Sequence, residues 1–152
     1  MNTQQYISII QELELAMGLV DYLADSTGEA SLTSYLSSFI EQADFDEDQE
    51  KILALMEAID VDYSTALDHI EECDYYVYTD KQADDAWDES LDHYLDDCIL
   101  PDLPESVQYY FDRDSWKSDA RMDGRSHSLA HYDGEELEAT INGTTYYIFR
   151  CN

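Results

Sequence analysis

The residues best placed to do chemistry in this chain are carboxylates. Over residues 83–98, Asp84, Asp85, Asp88, Glu89, Asp92, Asp96 and Asp97 recur at helical spacing with no Lys or Arg between them. Carboxylates four apart on a helix are near neighbours, and like charges there destabilise the helix by a few tenths of a kcal/mol per pair. Acid–base catalysis needs one such group desolvated, whereas solvated aspartates stay ionised. The pairs are too many and too alike to single out an acid or a base. No G-x-S-x-G, P-loop or G-x-G-x-x-G accompanies them. The expectation is that the chain is not an enzyme and carries no cofactor.

Metal sites fare no better. Asp60, Asp62 and Ser64 fall at positions 1, 3 and 5 of a calcium loop, with Asp68 at 9 and Glu71 at 12, but Thr65 stands where the turn needs Gly. His127 and His131 have a usable zinc spacing without a CxxC. Cys73, Cys98 and Cys151 are odd in number and far apart, which suits a reducing, cytoplasmic setting. No metal is expected.

Composition narrows the function classes. Across 152 residues, 36 Asp and Glu face 7 Lys and Arg, a net charge of −29. A basic nucleic-acid surface is excluded, as is docking on an anionic membrane. With 44% hydrophobic and 12% aromatic residues the chain is not an acidic disordered tail. No segment approaches a membrane span, and the N-terminus, with Glu12 and Glu14, lacks the basic region of a signal peptide.

The elements that must position these acids read as mostly helical α+β. Apolar spacing predicts helices over about 4–24, 32–43, 46–59, 64–72 and 83–98, with Asp62 or Ser64 capping the fourth. Ser26–Thr27–Gly28 stops the first. Trp87, Leu91, Tyr94, Leu95 and Cys98 form the apolar stripe of the fifth. Tyr75–Tyr78 reads as a short strand. Pro104 opens one or two helical turns. Asp133–Gly134 and Asn142–Gly143 separate three alternating segments, 126–132, 136–141 and 144–150, which predict a three-stranded antiparallel meander. The expected division is a helical region at 1–43, an acidic helical domain with one strand at 44–100, and a C-terminal α/β region at 101–152. Most of the 13 tyrosines are expected in the core. Charge is uneven: residues 1–112 hold 29 acids and 2 bases, residues 113–152 hold 7 acids and 5 bases.

A helix that keeps one sign at a cost suggests that its field is used. B-DNA carries one charge per about 1.7 Å, so 29 charges equal roughly 49 Å of duplex, about 14 base pairs. A compact domain of this length has a radius of gyration near about 15 Å, so an elongated shape or a dimer would match that density better. The working surface would be Asp44, Asp46, Glu47, Asp48, Asp60, Asp62, Glu71, Glu72 and Asp74, with the seven acids of the 83–98 helix. Competing accounts are a plainly solvated face, an acidic module for a basic protein, and a halophile-adapted domain.

The middle of the chain also carries a resemblance. Residues 52–78, ILALMEAIDVDYSTALDHIEECDYYVY, give an apolar helix, a D-Y-x-x-A-L motif and a tyrosine strand; then come DDAWDESLDHYLDDC and LPESVQYYFDRDSWKSDARMDG. That order resembles the ArdA family of antirestriction proteins over about 45–125, about half of the chain. Asp62, Tyr63, Ala66, Leu67, Tyr76, Tyr78, Tyr94, Pro104, Tyr110, Phe111, Asp112 and the neighbourhood of Arg121 carry it. The resemblance implies an elongated, dimeric DNA mimic from phages or mobile elements. Such a protein occupies the DNA-binding groove of type I restriction–modification enzymes, without catalysis or cofactor. The same device would serve against a CRISPR effector.

Overall fold

The computed structural model describes residues 1–13 and 29–152, with side chains from residue 34 onward in the second stretch. Helix α1 spans Thr3–Glu12. The rest of the expected 4–24 helix, including Leu15, Met17, Leu19, Val20, Tyr22 and Leu23, and its stop at Ser26–Gly28 lie outside the described residues. Helix α2 is Glu29–Gln42, α3 Glu47–Ile59 and α4 Tyr63–Glu71. Strand β1 (Tyr75–Thr79) leads into α5 (Asp80–Tyr94), which continues through a π turn at Leu95–Ile99 and a 3-10 turn at Leu100–Asp102. Short α6 (Glu105–Gln108), then α7 (Arg113–Ala120), a 3-10 turn (Arg121–Asp123) and α8 (Arg125–Leu129) precede β2 (Glu136–Ile141) and β3 (Thr144–Arg150). Among the described residues no helix is long and apolar enough to cross a membrane.

Local chemistry explains most boundaries. Asn2, Asp46 and Thr79 each cap a helix and receive a reciprocal bond from Gln5, Gln49 and Gln82, a full capping box in each case. Of the two candidates for the fourth helix, Asp62 is the cap; its carboxylate accepts from the Thr65 amide at 2.8 Å. Pro104 is itself the N-cap of α6. Between β2 and β3, Asn142 (φ 50°) and Gly143 (φ 84°) both take positive φ, the requirement of a type I′ hairpin turn.

The sheet is antiparallel and three-stranded, but its order is β1-β3-β2. Tyr75 pairs with Arg150 and Thr79 with Tyr146 on one side of β3; Glu136 pairs with Phe149 and Ile141 with Thr144 on the other. The expected first strand of the meander, 126–132, is instead helix α8 and a turn. Its alternation of His127, Leu129 and His131 imitates a strand. The outcome is set by Gly124 (φ 85°), which redirects the chain, and by Arg125, which is tied to α5. The place beside β3 belongs to the tyrosine strand.

Each face of this sheet is covered by helices. Tyr75, Val77, Ala139, Ile141, Tyr146 and Ile148 pack into one cluster with Ile9, Ile10, Leu36, Ile40 and the run Ile52–Met56 of α3. On the opposite face Phe149, with Tyr78 and Tyr147 beside it, packs on Ala83, Ala86 and Trp87 of α5 and Leu129–Ala130 of α8. The Trp87 Nε1–H is buried without an acceptor among the described residues, a local cost of about 1–3 kcal/mol. Gln5 locks α1 in place: its Nε2 donates to the carbonyls of Met56 (2.8 Å) and Val61 (2.9 Å).

Two expectations about side chains need correction. Of the α5 stripe, Leu91 and Leu95 are buried and Trp87 is partly so, but Tyr94 is 51% exposed and Cys98 is exposed. A π turn widens the helix at 95–99, so Cys98, extrapolated at 3.6 per turn, rotates out of register, whereas Tyr94 precedes the turn and stacks on Trp116 at the surface. Among the twelve described tyrosines only Tyr63, Tyr75 and Tyr146 are buried; Tyr35, Tyr76, Tyr94, Tyr109, Tyr110 and Tyr132 are exposed.

Candidate functional site: the acidic surface and its counter-ions

Helix α5 carries acids at every fourth position: Asp80, Asp84, Asp88 and Asp92, with Asp96 following in the π turn. Residues 113–125 carry bases at the same interval: Arg113, Lys117, Arg121 and Arg125. The structure zips the two series together in opposite directions. Arg113 meets Asp96 (2.8 Å) and Asp92 (3.0 Å). Lys117 meets Asp92 (3.1 Å) and Asp88 (2.6 Å). Arg121 also holds Asp88 (2.6 Å). Arg125 bonds Asp80 and Asp84, both at 2.9 Å, and Glu136 of β2. Four cations thus face six carboxylates in a ladder of two parts, Arg113 to Arg121 on Asp96, Asp92 and Asp88, and Arg125 on Asp84, Asp80 and Glu136.

The Lys117 side chain is only 10% exposed, so this rung is the least screened of the ladder. Its bonds to Asp88 and, against burial, to Asp92 hold the ammonium pKa above its ordinary value. Lys117 and Arg113 in turn hold the Asp92 carboxyl below the usual range. At Arg125 burial opposes the charge and is outweighed by the bonds to Glu136, Asp80 and Asp84, so its pKa too is raised.

The acids expected to form a working surface therefore divide. Asp84, Asp88, Asp92 and Asp96 are engaged in the ladder. Asp85 pairs with Lys81 at 2.6 Å, and Glu89 lies 3.5 Å from His93. Asp46 and Asp62 are helix caps; the Thr65 amide and hydroxyl hold the Asp62 carboxyl low. Asp60 sits in the left-handed region (φ 57°) after α3 and accepts from Asn2 at 3.4 Å. Asp74 accepts from Asn152 and is bonded to His69 at 3.1 Å, which lowers its pKa. Glu47 accepts from Gln82 at 2.7 Å and pairs with Lys51 at 3.7 Å, so the acidic start of α3 adjoins the start of α5. Asp44, Asp48, Glu71, Glu72 and Asp97 are exposed, and no cation pairs with them among the described residues.

The bases were the residues that sequence reading missed. Read alone, Arg113, Lys117, Arg121 and Arg125 belong to an ordinary mixed surface. Their four-residue spacing, matched to that of the acids 80–96, was the available signal. The calcium arrangement at Asp60–Glu71 is spent on capping, and no group of three or more His, Cys, Asp or Glu is placed to hold a metal ion among the described residues.

The remaining charge is large. Outside the ladder the sequence holds 30 acids and 3 bases, Lys51, Lys81 and Arg150. The first two are paired, and Arg150 lies over the Tyr132 ring at 3.8 Å and bonds the Asn152 carbonyl. All seven bases are thereby committed inside the molecule. No protein-family model matches the chain, and comparisons with characterised proteins and with solved structures return no match.

Proposed function

We propose that the protein is a charge mimic of DNA that occupies the DNA-binding cleft of a host defence enzyme. A type I restriction–modification enzyme is the first candidate target and a CRISPR effector the second. The observation that carries this reading is the charge left after internal pairing. Every Lys and Arg is consumed within the fold, yet 30 acids against 3 bases stand outside the ladder. Such a surface steers toward a basic cleft and competes there by occupancy. The sequence resemblance to ArdA proteins points the same way.

The ladder refines which acids do the work. Asp84, Asp88, Asp92 and Asp96 shape the fold, whereas Asp44, Asp48, Glu71, Glu72 and Asp97 are free to meet a partner. The test is a competition assay with a type I enzyme bound to labelled duplex, with a CRISPR effector in parallel. The expected result is displacement at near-stoichiometric protein that weakens as salt rises. Neutralising one free acid changes little, because each exposed carboxylate contributes about 0–1 kcal/mol. Neutralising Asp44, Asp48, Glu71 and Glu72 together abolishes displacement. DNA that stays bound to both enzymes would sink the proposal and favour an acidic module for another basic protein.

A further inference from the structure

A groove on the other flank of α5 is built differently from the ladder. Ser90 and Tyr94 of α5, Trp116 of α7, Asp123 and His127 surround a cavity of about 380 Å³, within the size range of ligand sites. The Tyr94 and Trp116 rings stack with centroids 5.8 Å apart and 13° between planes. The stack takes up one face of each ring, and Tyr94 is 51% exposed, so this aromatic pair still offers ring surface to the groove. Asp123 on the rim is exposed. Its neighbour Arg121 turns to Asp88, and Asp123 has no ion pair or hydrogen bond to another described side chain.

The fold shows what it does with this combination elsewhere. The Arg125 guanidinium bonds three carboxylates and also lies 4.5 Å from the Tyr147 ring centroid. Arg150 lies 3.8 Å from that of Tyr132. A guanidinium suits such sites because it is planar, weakly hydrated and stacks on aromatic faces, whereas an ammonium is a compact, strongly hydrated point charge. The groove has the aromatic pair and the carboxylate, and its lining includes the imidazoles of His127 and His131 but no Lys or Arg; all seven Lys and Arg are committed elsewhere.

We propose that this groove binds an arginine side chain presented by a basic partner protein. Tyr94 and Trp116 supply the face, and Asp123 accepts from the guanidinium. The site would let a protein with a diffuse negative field dock in one register, and it does not depend on whether the partner reads DNA.

The test is calorimetric titration of the intact protein with hexa-arginine and hexa-lysine peptides. These probes match in charge, so the diffuse field treats them alike. The wild type is expected to bind hexa-arginine tighter by about threefold or more, with a change in tryptophan emission on binding. Tyr94→Ala and Asp123→Asn each reduce that preference toward unity. Tyr109→Ala, which removes a more exposed tyrosine outside the groove, leaves it intact. Equal affinity for the two peptides in the wild type would overturn the site, as would a preference that survives both groove variants. Either outcome leaves DNA displacement by the same protein unaffected, so failure here is distinct from failure of the charge-mimic reading.

Discussion

At the scale of single residues, Asp92 and Tyr146 make opposite demands on pH. Lys117 is the most enclosed cation of the ladder, wedged between Asp88 and Asp92. Lys117→Met keeps the alkyl packing but leaves Asp88 with Arg121 alone and Asp92 with Arg113 alone, without the cation between them. The expected loss is about 1–2 kcal/mol by urea denaturation, much of it recovered when Asp92→Asn is added. The Asp92 pKa is lowered in the fold, so the rung stabilises above the unfolded carboxyl pKa and its contribution fades as pH falls through the acidic range. Tyr146 titrates at the other end. Its hydroxyl is buried and donates to Glu50 at 3.3 Å, and burial with the Glu50 charge pushes its pKa up to about 12. A raised folded pKa gives stability that is present below the unfolded value near about 10 and lost as pH rises toward the folded one. The expectation is alkaline destabilisation that begins near about pH 10 and is visibly flatter in Tyr146→Phe, followed by thermal melts across that window.

At the scale of elements, α1 depends on one polar side chain. Gln5 is buried and bonds the carbonyls of Met56 and Val61 where α3 ends, while Ser8 accepts from the Tyr63 amide at 3.2 Å. Replacing Gln5 with Ala strands both carbonyls. The expected cost is about 1–3 kcal/mol, with hydrogen exchange rising first in α1 and in the Met56–Tyr63 connection. Replacement with Glu should cost more, since it adds a buried charge. Elements of this kind were largely legible in the sequence. The cap at Asp62, the apolar periods of α2 to α5 and the Asn142–Gly143 turn are local signals, and local chemistry decides them. Residues 126–132 were misread because a two-residue alternation carries no information about Arg125 reaching back some forty positions to Asp80 and Asp84. The free acids of the candidate surface could be named, but not told apart from the ladder acids. That distinction rests on pairing between 80–96 and 113–125, which no window along the chain contains. The exposed tyrosines escaped for a related reason: residue type gives an average burial, whereas the docking of neighbouring elements sets the individual value.

At the scale of the molecule, repulsion and pairing respond to salt with opposite signs. Salt weakens the ladder, but 30 acids against 3 bases outside it repel one another, and screening relieves that repulsion. The second effect is expected to win. Melting temperature should rise by several degrees between about 20 mM and about 300 mM NaCl, while the protein remains folded at the lower value. A halophile-adapted domain would be unfolded there, so far-UV circular dichroism at low salt separates the two accounts. A variant with Arg113, Arg121 and Arg125 changed to Gln should show a steeper salt dependence, because it keeps the repulsion and loses the counter-ions.

The position of β3 in the middle of the sheet bears on how the protein is made. Its residues, 144–150, are the filling between Tyr75–Thr79 and Glu136–Ile141, and both helical layers rest on it. When α5 has just emerged from the ribosome, the tyrosine segment has no strand to pair with and the acidic helix has yet to meet its four cations. The helices α1 to α4 can pack on one another by then, but the sheet cannot close. The nascent chain must carry an unpaired strand segment beside a mutually repelling helix until the cations at 113–125 and then β3, ending at Arg150, have been made. The same repulsion that strains the unfinished chain also keeps neighbouring copies on a polysome from pairing their tyrosine strands with one another.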